Sequence, residues 1–236
     1  METQTTRGLT IGLCGEVVLD AGVTRGVDVF GIDHPLGAVA PLLREADARL
    51  CDLAGAPGAH PSGVEVIRRA GFEAVSVAND HALDRGTGGL VETLAALDAA
   101  GVGHGGAGAD LAAAERPVRL LRSGWRLSVL TFATHPAAWA AGPTTPGIRY
   151  VPLDTPGRAR ACVAVAAERG EADLLIVSLH AGQPFQDGPS PALRVFARAL
   201  VEAGADVVWG HGARVTQGVE WFRGRPVLYD TGSLLD

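Results

Sequence analysis

An α/β domain is what this sequence predicts, and three observations predict it. Short apolar runs alternate with longer segments of helical period, the helical segments stop at glycines, and the chain closes on two strand-like runs around a tight turn. At 236 residues there is room for one large domain, with a mixed sheet or two sheets. LTIGLCGEVVL (9–19) reads as the first strand, followed by an irregular glycine-rich stretch to Asp33. HPLGAVAPLLREA (34–46) reads as helix, ARLCDLA (48–54) as strand, GVEVIRRAG (63–71) as helix and FEAVSVA (72–78) as a buried strand. GGLVETLAALDAAG (88–101) carries apolar residues at helical spacing and stops at Gly101.

PVRLLR and RLSVLTFAT flank Ser123–Gly124 as a hairpin. Residues 135–156 hold five prolines and no period, the signature of a long loop. TPGRARACVAVAAERG (155–170) is helical, DLLIVSL (173–179) a strand, ALRVFARALVEAG (192–204) a helix and ADVVWG (205–210) a strand. VTQGVEWF and RPVLYDT form the closing hairpin around Arg223–Gly224. No repeat, linker or low-complexity segment divides the chain, so one domain over 1–236 is expected, with 1–8 disordered.

Composition narrows the function classes. Apolar residues make up 47% and charged residues 19%, which excludes a disordered chain. The net charge of −6 gives no general attraction to nucleic acid or anionic lipid. All 20 basic residues are arginine, which removes Schiff-base chemistry and a phosphate-loop lysine. Cys14, Cys51 and Cys162 are too few and scattered for a disulfide framework. With neither a signal-peptide pattern nor a spanning apolar run, the expectation is a cytoplasmic protein with no membrane partner. The glycine run at 103–108 follows a helix rather than a strand, so no nucleotide cofactor is expected.

Polar residues cluster where strands give way to loops. Gly15–Glu16 lies inside the first strand, Asn79–Asp80–His81 follows the third, His180 follows DLLIVSL and His211 follows ADVVWG. One strand-end histidine is ordinarily a hydrogen-bonded structural residue. Three of them with two carboxylates point to a shared site, because open α/β sheets gather ligands at the carboxyl ends of strands.

These segments resemble the CapA/PgsA-type capsule and poly-γ-glutamate synthesis proteins. ANDHALDRGTGGLVETLAALDAAGVGHGGAG (78–108) is similar to that family's ANNHALD-x-G signature and the helix after it. VSLHAG (177–182), GADVVWGHGAR (204–214) and VEWFRGRPVLYDTGSLL (219–235) follow in the family's order, with GEVVLD (15–20) and CDLAGAP (51–57) ahead of them. The resemblance implies a metallophosphoesterase-like α/β-β-α sandwich with a two-metal centre built from aspartate, asparagine and histidine.

Departures fall on the ligand positions. The aspartate of the family's first motif is Glu16, the second motif's glutamate is Ala54, and the asparagine before the motif histidine is Asp80. His211 is kept, while the two later histidines of its segment are Gly212 and Arg214. At most four donors remain, Glu16, Asp80, His180 and His211, enough for one zinc or manganese ion and too few for two. Catalytic roles are expected for His81, His180, His211 and Asp80, and substrate contacts for Arg214, Asn79, His135 and Trp139. Asp84 is expected to cap the following helix. The leading expectation is acid–base chemistry on a peptide or amino-acid-polymer-like substrate, with one ion or none. Metal-dependent hydrolysis of an ester, phosphoester or amide, metal-free epimerisation of a peptide, and a non-catalytic scaffold stand as alternatives.

Overall fold

The computed structural model describes residues 8–55 and 61–235. The disorder expected over 1–8 therefore falls, Gly8 apart, outside the described residues. A first sheet has the order β13-β1-β2-β3-β4, with β1 Ile11–Val18, β2 Ala48–Ala54, β3 Ala74–Ser76, β4 Gly103–Gly105 and β13 Ser233–Leu235, all parallel. A second has the order β11-β12-β10-β9-β7-β6. Its central strands β7 (Trp125–Ala133), β9 (Leu174–His180), β10 (Val207–His211) and β12 (Arg225–Leu228) are parallel. Its edges β6 (Val118–Arg122) and β11 (Val219–Phe222) are antiparallel.

Helices α1 (Ala21–Phe30), α3 (Pro61–Ala70) and α4 (Gly86–Ala99) cover the first sheet through a core that includes Val27, Ile67, Leu90 and Leu97. Helices α6 (Thr155–Glu168) and α7 (Pro191–Glu202) cover the second through Val165, Phe196 and Leu200. Leu50, Ala74, Val118, Val129, Ile176 and Trp209 fill the space between the sheets. The result is the α/β-β-α sandwich that the resemblance implied.

Strand periodicity decides which face each functional residue takes, because alternate side chains point to opposite faces. In β9, Leu175, Val177 and Leu179 join the helix-side core, while Ile176 faces the other sheet and carries His180 with it. In β10, Trp209 faces the other sheet and so does His211. In β2, Leu50 and Asp52 share that face, with Cys51 and Leu53 on the helix side. Glu16 breaks the simple count, since Leu13 and Glu16 lie three apart in β1 yet pair with Leu50 and Asp52, two apart in β2. The extra residue is a β-bulge at Cys14–Gly15, and it turns Glu16 to the inter-sheet face beside Asp52.

Several elements differ from the sequence expectation. Residues 21–30 form α1, because the Asp20 carboxylate accepts from the N–H groups of Gly22 and Val23 (2.7 and 2.9 Å) and so caps a segment of weak propensity. The helix expected over 34–46 shrinks to α2, Val39–Leu43. The loop at 135–156 is pinned by a 3₁₀ turn at Ala137–Trp139 and by β8 (Gly147–Ile148), which pairs with β5 (Ala107–Gly108). Beyond the expected hairpin, the chain returns to the first sheet as β13. Among the described residues, no helix is long and apolar enough to cross a membrane.

Gly15 anchors the bulge, for a Cβ there would lie 1.8 Å from the Gly232 carbonyl oxygen. Gly15→Ala should destabilise the protein by about 3 kcal/mol or more, a fall in Tm of roughly 6–12 °C. Gly218→Ala, with open space around it, should shift Tm by no more than about 1 °C. Thermal unfolding of the two variants measures this, and equal effects would contradict the assignment.

Candidate functional site

Two neighbouring strands of each sheet bring the site together. Glu16 and Asp52 are register partners in the first sheet, and His180 and His211 are register partners in the second. All four side chains are buried. Asp52 and His180 meet across the sheets, His180 Nδ1 lying 3.0 Å from Asp52 Oδ2. Asn79 Nδ2 donates to Asp52 Oδ1 (3.2 Å) and to the Leu53 carbonyl (2.8 Å), while Asn79 Oδ1 accepts from the His81 N–H. Asn79, expected from sequence to contact substrate, is buried and holds Asp52 and the His81 backbone in place.

The loop after β3 carries the more open half of the site. Asp80 Oδ1 lies 3.2 Å from His180 Nε2 and 3.8 Å from His81 Nε2, and Asp80 Oδ2 lies 3.8 Å from His135 Nε2. His81 Nδ1 is 2.8 Å from Asp84 Oδ2, and His81 Nε2 is 2.7 Å from Arg214 Nη2. The capping role expected of Asp84 is therefore corrected: α4 has Arg85 at its cap position with no side-chain cap, and Asp84 orients His81 instead.

This network assigns proton positions. Arginine only donates, so His81 Nε2 accepts and the ring proton sits on Nδ1, facing Asp84. The acceptor atom of His81, Nε2, is then directed at Arg214. His180 has a carboxylate at each ring nitrogen. Burial works against its charge, yet Asp52 and Asp80 together hold it protonated well above the ordinary imidazole range. Burial opposes ionisation of Asp80 as well, and His180 more than reverses that, keeping Asp80 a carboxylate.

Two of the deeper groups are shifted toward their neutral forms. Burial, aided by the charge on Asp52, pushes Glu16 up to about 7, and burial pushes His211 down to about 4. Glu16 Oε1 accepts from the Gly212 N–H (2.9 Å), and Oε2 lies 4.0 Å from Arg214 Nε. Asp230, which the sequence reading missed, accepts from the Ala213 and Gly232 N–H groups (2.6 and 2.7 Å) and so shapes the turn that carries Arg214. Trp139 is half-buried and packs against the first hydrophobic core.

The donor set fits a cation better than the sequence count allowed. Glu16, Asp52 and His180 offer ligand atoms within 4.8 Å of one another, as do Asp80, His135 and His180. Glu16 Oε2 and His211 Nε2 are buried without a hydrogen-bond partner among the described residues, and His180 Nε2 meets Asp80 out of hydrogen-bond alignment. Asp52 is the donor that sequence missed. Its parity with Leu50, two residues earlier on the inter-sheet face, was the available signal.

A family model described as bacterial capsule synthesis protein PGA_cap matches residues 10–236. A probable polyglutamine synthesis accessory protein of Mycobacterium tuberculosis (strain H37Rv) is 34% identical over 75% of this chain and 48% of its own length. The capsule biosynthesis protein CapA of Bacillus anthracis is 26% identical over 96% of this chain and 59% of its own. The chain thus spans about half the length of the mycobacterial relative. A crystal structure of a hypothetical protein from Thermus thermophilus superposes with a TM-score of 0.59 at 16% identity, over 95% of this chain and 77% of that one. That likeness shows the fold.

Glu16 makes a pH-dependent contribution to stability. Its folded pKa, about 7, lies above the ordinary 4.5, so the stability it gives below pH 4.5 is lost as pH climbs through 7. In chelator-treated protein, Glu16→Gln should match the wild type at pH 4.5 and exceed it at pH 8 by up to about 3 kcal/mol. Thermal unfolding across that window checks it, and a difference independent of pH would contradict a neutral buried Glu16.

Proposed function

This chain belongs to the bacterial capsule synthesis protein family PGA_cap, and within that family we propose that it is an acid–base enzyme acting on a peptide or amino-acid-polymer-like substrate. The observation that carries this reading is a pair of imidazoles flanking one carboxylate, His81 Nε2 lying 3.8 Å and His180 Nε2 3.2 Å from Asp80 Oδ1. His81 presents a lone pair and His180 a proton, with Asp80 Oδ1 between them. Removal and return of a proton at a carbon beside a carbonyl needs such a pair. His81 accepts the proton while Asp84 holds the ring. Buried His180 passes its Nε2 proton to the substrate through the partly exposed Asp80, 3.2 Å away, and Asp52 supports it from behind. Arg214 exchanges His81 for an anionic or carbonyl oxygen of the substrate.

The Glu16, Asp52 and His180 set supports a second reading, amide or ester hydrolysis with one zinc or manganese ion. When bound, such an ion polarises a substrate carbonyl. To take part in holding it, His180 must surrender a proton that two carboxylates favour. Arg214 opposes a further cation beside Glu16, and Ala54 and Gly212 contribute no side-chain donor, so a dinuclear centre is not part of this proposal.

Incubation in D2O with a pooled library of N-acetyl, C-amidated peptides tests the reading. Deuterium should appear at Cα with chelator present, and His81→Ala should lower that exchange by at least about 10²-fold. Asp84→Asn should shift its pH profile, and Arg214→Ala should raise KM more than it lowers kcat. His180→Ala leaves Asp52 buried and unpaired, so it should lower stability too, which makes His81 the cleaner probe. Peptide cleavage restored only by zinc or manganese would select hydrolysis. A His81→Ala, Asp84→Asn variant with undiminished biological function would leave a scaffold.

A further inference from the structure

A bulky residue in strained backbone stands beside this site. Phe185 has φ of +62° and is 72% exposed, a left-handed conformation that side chains of its size rarely adopt. The strain is held in place: the Phe185 N–H donates to the Ala213 carbonyl (2.8 Å), and Gln217 Nε2 donates to the Gln186 carbonyl (2.9 Å). Ala213 precedes Arg214, which touches His81, so the Phe185 loop is tied to the turn that serves the proton-transfer centre. Strain retained at an exposed aromatic is characteristic of a binding position.

Next to this loop lies a cleft of about 370 Å³, lined by His135, Tyr150, Leu153, Gln183, Gln186 and Ser190 among others. His135 connects it to Asp80. Among the described residues, no arginine and no carboxylate lines the cleft; its walls are apolar surface and neutral hydrogen-bonding groups. A chain of free carboxylates would find no arginine in this lining to pair with.

We infer that the substrate is an uncharged peptide segment carrying an aromatic or large aliphatic side chain, seated against Phe185 with its backbone amides along Gln183 and Gln186, rather than a polyanion. This rests on the acid–base reading for what happens to the peptide, but not for whether it binds.

Binding is measured by isothermal titration calorimetry at low salt with three probes: N-acetyl-Phe-Ala-amide, N-acetyl-Ala-Ala-amide and a γ-linked pentaglutamate. The phenylalanyl peptide should bind about tenfold more tightly than the alanyl peptide, and the pentaglutamate more weakly than either. Phe185→Gly should remove the tenfold preference while leaving Tm unchanged or higher, since glycine relieves the strained backbone. Phe185→Leu should keep part of the preference. These titrations read binding and not turnover, so a failure of catalysis leaves the result untouched. Tighter binding of pentaglutamate, an unchanged preference in Phe185→Gly, or no saturable binding of the phenylalanyl peptide would overturn the inference.

Discussion

Asp52 and His180 come from different sheets and meet at 3.0 Å with neither side chain open to water. A carboxylate so deeply buried persists only where a cation and donors replace its lost hydration. His180 supplies the cation, and Asn79 adds a donor to the other oxygen. The contact therefore joins the sheets at the carboxyl ends of their strands and keeps a proton on His180. It also aims the second ring nitrogen at Asp80, which brings Asp80 between His180 and His81. Sheet packing and proton chemistry here depend on one interaction.

Changes at the family's ligand positions act through the same geometry. Gly212 has φ of +116°, and a Cβ there would lie 2.9 Å from the Ala181 carbonyl oxygen. With no side chain to offer, it contributes its N–H to Glu16 Oε1. Arg214 then stands 4.0 Å from Oε2, which has no hydrogen-bond partner among the described residues. Glycine and arginine stand at the two later positions of this turn, where the resemblance implies histidines, so the turn offers a cation fewer side-chain donors.

Much of this is legible in the residues alone. Period-two parity puts Asp52 with Leu50, His180 with Ile176 and His211 with Trp209, and the order of the strand-end motifs matches a known family. The bulge that turns Glu16 inward is not legible, because one extra residue in a strand leaves no compositional trace beyond Gly15. Asp52 escapes notice beside Ala54, the missing ligand two residues later. Asp84 reads as a cap because Asp before a helix ordinarily is one, whereas three-residue spacing also lets it reach back to His81. Helix α1 hides behind glycines and β-branched residues, and only the Asp20 cap gives it away. The return of β13 to the first sheet depends on long-range pairing that no local pattern encodes.

The proton states of His81 and His180 are the centre of this account. Nitrogen-15 NMR of chelator-treated, histidine-labelled protein at neutral pH reads them directly, with His81→Ala and His180→Ala spectra giving the assignments. The account predicts a neutral His81 with its proton on Nδ1 and a His180 protonated on both ring nitrogens. A neutral His180 or a doubly protonated His81 would contradict it.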